Sequence, residues 1–189
     1  MADENQNQCP FCAIAENKLP TVKIYEDNAV IAVLDIHPAS KGHIVVFPKQ
    51  HFSFLYELPN NILSQVFIVA KSLSSAAIEA FGATGVNIVY SMGASAGQRV
   101  PHVLVNIIPR YENDGIKVEW SNKEVSQDEL ADSFKKISSV MQKNTIETLK
   151  AIKEGKLKVP DEVKKQAEKL LSQVENKKET KTVNSLEEL

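Results

Sequence analysis

The run Gly97-Gln98-Arg99-Val100-Pro101-His102-Val103-Leu104-Val105-Asn106-Ile107-Ile108-Pro109-Arg110 frames the whole chain. Its β-branched residues predict a strand over His102–Ile108, closed by Pro109. Successive side chains of a strand point to opposite faces. Val103, Val105 and Ile107 therefore share an apolar face suited to a core, while His102, Leu104 and Asn106 share the other.

Upstream, strands dominate. Val22–Glu26 and Ala29–Asp35 flank a two-residue turn at Asp27-Asn28, the pattern of a β-hairpin. Asp35–Gly42 reads as a loop, and His43–Pro48 as a third strand. Asn60–Phe81 carries Leu63, Val66, Phe67, Ala70, Leu73, Ala77 and Ala80 at spacings of three and four before Gly82, predicting a core-facing helix. Gly85–Ser91 is a fourth strand, followed by a flexible loop over Gly93–Gly97. Five strands with hairpins and one long helix make an α+β domain with a mainly antiparallel sheet.

Charge divides the 189 residues. Residues 1–111 hold 7 Lys+Arg and 8 Asp+Glu, while 112–189 hold 15 and 16, so the second part has the charge density of surface helices. A turn at Asn113-Asp114-Gly115 lies near the boundary. The expected organisation is a flexible N-terminus at 1–8, a compact domain at 9–120, a helical extension at 121–178 and a flexible tail at 179–189. In the extension, Ser126 and Glu129 form a capping box, and Leu130, Phe134, Ile137, Met141, Leu149 and Ile152 give one apolar stripe ending at Gly155. Pro160, Asp161 and Glu162 open a second helix whose apolar seam is Val163, Ala167, Leu170 and Val174. A net charge of −2 offers no chain-wide field for nucleic acid or an anionic membrane. No apolar run reaches the roughly 18–20 residues of a membrane span. Two cysteines, with neither signal nor transit peptide, make the cytoplasm the expected compartment.

Those cysteines stand as Cys9-Pro10-Phe11-Cys12, a spacing that lets two thiolates grip a tetrahedral metal. A redox pair, or two unliganded thiols, carries the same spacing. A redox pair normally opens a helix after a strand, and this one precedes every predicted strand. The four histidines are His37, His43, His51 and His102.

The Gly97–Arg110 run resembles the signature strand of the histidine triad (HIT) family, Gly-Gln-x-x-x-His-x-His-x-His. Asp35-Ile36-His37-Pro38 with Gly42-His43-Ile44-Val45-Val46-Phe47-Pro48-Lys49-Gln50-His51 resembles its central loop, strand and Pro-Lys-x-His turn. Cys9-Pro10-Phe11-Cys12 resembles the knuckle of its zinc-containing branch. The likeness covers roughly residues 8–120. It implies a five-stranded antiparallel sheet carrying one long helix, and a homodimer paired through helix and strand edges. It also implies binding of a purine nucleotide such as AMP, and cleavage at the α-phosphorus with the middle histidine as nucleophile. In the zinc branch, Cys9, Cys12, His51 and His102 would hold a structural zinc ion. Asp35 would take the ribose hydroxyls and Ile36 would lie on the base. His43 would border the phosphate pocket or be a buried, satisfied histidine. Backbone N–H groups at Gly97 and Gln98 would face a phosphate, with Arg99 adding charge there or standing solvated.

The chain departs from the family pattern where the chemistry lies. The middle position is Leu104, which has no lone pair for phosphorus; the third is Asn106; and Ser91 stands where many members place an asparagine. Three functions follow from this degenerate triad. The first is a nucleotide-binding protein impaired in catalysis. The second is a hydrolase or transferase with rearranged catalytic residues. The third is a dimeric scaffold recruiting a protein partner through its C-terminal helices.

Overall fold

The structure is a computed structural model that describes residues 9–186, with side chains to Val174. It divides into two compact units meeting between Val118 and Glu119. The first holds a five-stranded, wholly antiparallel sheet: β1 (Lys23–Glu26), β2 (Val30–Leu34), β3 (Ile44–Pro48), β4 (Gly85–Val89) and β5 (Val105–Arg110), in the order β1-β2-β3-β5-β4. The β1–β2 turn forms around Asp27. Its Oδ1 accepts the N–H groups of Ala29 and Val30 at 2.7 Å each, and its Oδ2 accepts from Tyr25 Oη and Gln65 Nε2, also at 2.7 Å. Burial opposes ionisation of this carboxyl, but the four donors prevail and hold it at about 2.

Alternation sorts the strands into two apolar faces. Val30, Ala32, Ile44, Val46, Val105 and Ile107 pack under α2 (Asn60–Phe81), which contributes Val66, Val69, Ala70 and Ala77. Phe67 and Ala80, expected in that core, stand exposed on the outer side of α2, and Val69 takes part instead. By length and composition α2 could cross a bilayer, a property that Gln65, Lys71 and the serines hide from a search for unbroken apolar runs. Its buried stripe lies against the sheet. The opposite face joins Ile31, Val33, Val45 and Phe47 to Ile14 of a short helix, α1 (Pro10–Ala15), with Phe11, Ala15 and Leu104 at its margin.

The strand expected over His102–Ile108 begins three residues late. The His102 N–H turns back to Val100 O (2.8 Å) and the Val103 N–H goes to Phe52 O (2.8 Å), so the chain joins β3 only at Val105. At the other end, Pro109 sits inside β5, beyond the last β3 pair, where only β4 remains as a neighbour. The Asp35–Gly42 loop is seated from two sides. Ser40 Oγ donates to Pro109 O (2.5 Å) and Tyr111 Oη to Lys41 O (2.9 Å). Gly42, at φ +83°, lies so close to Phe81 that a Cβ there would come within 2.5 Å of its ring.

The second unit is a pair of helices, α3 (Gln127–Lys153) and α4 (Asp161–Leu186). The capping box forms as expected, with Glu129 N–H to Ser126 Oγ at 3.2 Å and Ser126 N–H to Glu129 Oε2 at 2.9 Å. Leu149 and Ile152 pack on Ala167 and Leu171. Leu130, Phe134, Ile137 and Met141, expected in one stripe with them, are exposed, as are Val163 and Leu170 of the expected α4 seam. The flexible segment expected at 1–8 lies outside the described residues. In the expected 179–189 tail, the backbone is described to Leu186 and is helical there.

Candidate metal centre and ligand cleft

Cys9 is the N-cap of α1, Pro10 its first residue, and Cys12 falls one turn on, so both thiols point from one end of a six-residue helix. His51 follows β3 and His102 precedes β5. His102 Nε2–H donates to Pro48 O at 2.9 Å, which leaves the Nδ1 lone pair for the thiols: Cys9 Sγ at 3.4 Å and Cys12 Sγ at 3.7 Å. His51 Nδ1 lies 3.2 Å from Cys12 Sγ. The four ligand atoms fall within 4.8 Å of one another. Zinc bonds to sulfur and imidazole nitrogen imply ligand separations of about 3.3–3.8 Å around a tetrahedron, so the set fits. Phe11 and Phe47 enclose the His102 ring, with centroids at 6.0 and 5.7 Å. Burial holds His102 down to about 4, against the pull of the Pro48 carbonyl and with help from His51. Burial, then the neighbouring Cys9, pushes the Cys12 thiol up to about 12. This cluster of two thiols and two imidazoles could hold a metal ion, with all four positions taken by protein and none open to water. His51 Nε2 is the buried side-chain nitrogen left without a partner among the described residues.

Beside the cluster opens a cleft of about 660 Å³. Asp35, Ile36, His43, Ser91, Gly97, Gln98 and Asn106 all line it, together with Leu104 and His102. The backbone sets several of their roles. Asp35 Oδ1 accepts the His37 N–H at 2.8 Å, and its Oδ2 lies 3.5 Å from His43 Nδ1. Ile36 is 80% exposed, an apolar side chain offered to whatever enters. His43 is buried; its Nδ1 accepts the Ala39 N–H at 3.1 Å, so the ring proton sits on Nε2 and goes to Asn106 Oδ1, also at 3.1 Å. Asn106 Nδ2 donates in turn to Val89 O at 3.3 Å. Leu104 lies half-buried at the edge of the Ile14–Phe47 cluster.

The Gly93–Gly97 segment, expected as a flexible loop, is braced by hydrogen bonds. Gln98 Oε1 accepts the Gly93 N–H at 2.7 Å, and its Nε2 donates to Ser53 O at 2.8 Å and Val100 O at 3.1 Å. The Gly97 and Gln98 N–H groups close the loop on itself, to Ala94 O at 3.0 Å and Gly93 O at 3.1 Å. Sequence reasoning missed α1 and, with it, the cleft wall formed by Pro10, Phe11 and Ile14. The available signal was Pro10 at a first helical position, with Phe11 and Ile14 three apart.

The HIT domain family profile matches residues 16–113. A HIT-like protein of Methanocaldococcus jannaschii is 41% identical over 128 residues, covering 67% of this chain and 98% of that one. The adenosine 5′-monophosphoramidase of Schizosaccharomyces pombe is 34% identical over 132 residues, covering 69% of this chain and 96% of the enzyme. The crystal structure of a zinc-bound histidine triad family protein from Mycobacterium smegmatis superposes with a TM-score of 0.56 at 32% identity, covering 62% of this chain and 86% of that one. The chain belongs to the HIT family.

Proposed function

We propose that this protein binds a purine nucleotide such as AMP in the cleft, is stabilised by one zinc ion on Cys9, Cys12, His51 and His102, and is impaired in catalysis at the α-phosphorus. The observation that carries it is Leu104. Between His102 and Asn106 on the cleft side, the place of an attacking imidazole is taken by a side chain that packs with apolar neighbours. Asn106 cannot replace it, since its amide is committed to His43 and Val89. In this assignment Asp35 accepts the ribose hydroxyls through Oδ2, Ile36 lies on the base, Ser91 and His43 border the phosphate, and Gly97 and Gln98 shape the rim. When bound, the zinc ion ties α1 to the start of β5 and supplies no chemistry to the nucleotide. The relatives named as adenosine 5′-monophosphoramidases support the ligand class. Exposed Phe67, Ile68 and Ile78 on α2 and Ile88 on edge strand β4 support a homodimer. Two buried free thiols suit a reducing compartment, the cytoplasm.

A second reading, a scaffold recruiting a protein through the extension, is favoured by exposed Leu130, Phe134, Ile137 and Met141 on α3. A thermal-shift series on the metal-loaded full chain separates the two, because a ligand bound only by the native state raises Tm. Adenosine nucleotides should raise it; no shift with any purine nucleotide would leave the scaffold. The catalytic half is tested with an adenosine phosphoramidate. The native protein should release negligible AMP, and Leu104→His with Asn106→His should show a measurable gain. Turnover by the native protein at an ordinary enzymatic rate, on the order of 1 per second or more, would refute the impairment.

A further inference from the structure

Among the described residues, the cleft holds two formally charged side chains, Asp35 and Arg99. They are anchored at opposite ends of β3. Asp35 donates its N–H to His43 O just ahead of the strand (3.0 Å), whereas the loop of Arg99 is tied by Gln98 Nε2 to Ser53 O beyond the strand's end. Two of the cleft's histidines have both ring nitrogens engaged by other protein groups. The His43 Nδ1 already accepts the Ala39 N–H while its Nε2 proton goes to Asn106. His102 spends its Nε2 proton on Pro48 O and turns Nδ1 to the thiols. Arg99 is exposed and makes no ion pair among the described residues, and the backbone N–H groups of Arg99 and Val100 have no partner among them either. The loop presenting all three groups is held on both sides by Gln98.

We propose that Arg99 is the phosphate-chain residue of this cleft: a guanidinium on the rim, with the adjacent N–H groups, takes over the anion-binding role that imidazoles would fill on the strand, and it selects nucleotides bearing more than one phosphate. This rests on the nucleotide-binding role proposed above. A planar guanidinium matches two phosphate oxygens at once, and each added phosphate brings charge within its reach. Its place on an exposed loop, ahead of the strand, sets the anion site at the mouth of the cleft. Phosphates beyond the first should therefore gain most.

The test is isothermal titration of the zinc-loaded full chain with adenosine, AMP, ADP and ATP, in magnesium-free buffer without chelator and at two salt concentrations. The expected result is weak adenosine binding, affinity rising along the series by about tenfold from AMP to ADP, and a gradient that shrinks with salt. Arg99→Gln should flatten the series to within about twofold while leaving adenosine unchanged, and Arg99→Lys should keep part of the gradient, as a point charge without the fork does. Adenosine binding with a flat series in the native protein overturns the Arg99 role alone. So does a gradient that survives Arg99→Gln, or one abolished by His37→Gln instead. Failure of adenosine and every nucleotide to bind the native protein overturns the nucleotide-binding role itself.

Discussion

The two faces of the sheet are made by alternate residues of the same strands and closed by different means. On one, the 22-residue α2 lies over Val30, Ala32, Ile44, Val46, Val105 and Ile107 and needs nothing but apolar contact. On the other, the six-residue α1 lies by Ile31, Val33, Val45 and Phe47; a helix that short does not hold itself. A metal ion on the four ligand atoms, from residues 9 and 12 at one end and 51 and 102 at the other, would do that work. Among the described residues, none of α2 lines the cleft. On the other face the short α1 covers only part of the sheet, and the remainder is the cleft. A short clamp in place of a long lid is thus what leaves a site.

If that contrast holds, its largest consequence is metal dependence. Stripping the metal, or Cys9→Ser, should lower the unfolding free energy by about 5 kcal/mol or more, with elemental analysis giving one zinc per native chain and none in the variant. A metal-free native protein of unchanged Tm would break the comparison. Next come paired core truncations. Phe47→Ala, which removes the ring at 5.0 Å from Phe11, should cost about 3–5 kcal/mol with metal bound, and at least ~1 kcal/mol less once α1 has been released. Ile107→Ala, under α2, should cost about 2–5 kcal/mol whether or not metal is present. Equal metal sensitivity of the two would show that the faces are not separately closed. The smallest effect is electrostatic. Asp27, held at about 2, is depressed below its ordinary 3.8, so its contribution is fully present above that value and is lost as pH falls through the folded value. Allowing for its partial exposure, Asp27→Ala should cost roughly 1–2 kcal/mol near neutrality, and clearly less at a pH below about 2, where the charge-dependent part is lost. Metal removal should leave that difference unchanged, which urea titrations at both pH values would check.

The α2 face was the more legible in the sequence because its signals are periodic. The spacing over Asn60–Phe81, the αL stop at Gly82 and the alternation of Val103, Val105 and Ile107 are local and survive folding intact. The details that periodicity missed have geometric causes. Pro101 and the turned-back N–H of His102 delay β5, and α3 exposes Phe134 because packing on α4 is built from Leu149 and Ile152 toward its other end. For the site, the ligand set could be named from resemblance, since each member carries a motif. The hydrogen-bond pairing of His43 with Asn106, 63 residues apart, and the grip of Gln98 on Ser53, 45 apart, carry no local pattern. Those long-range pairings decide which groups are spent on the fold and which remain for a ligand.

Gly42 gives the two faces a common dimension. Gly42, which ends the rim loop carrying Asp35, Ile36 and His37, lies against Phe81, the last residue of α2, with no space for even a methyl group between them. The ring acts as a mechanical stop, and where α2 ends sets how far the rim stands from the floor of the cleft. One residue less of helix would withdraw that stop by a step of about 1.5 Å and turn it by roughly 100°. A substitution at 42 would act in the opposite sense, wedging the rim outward. The bore of the site is therefore gauged from behind, by a helix whose side chains never enter it.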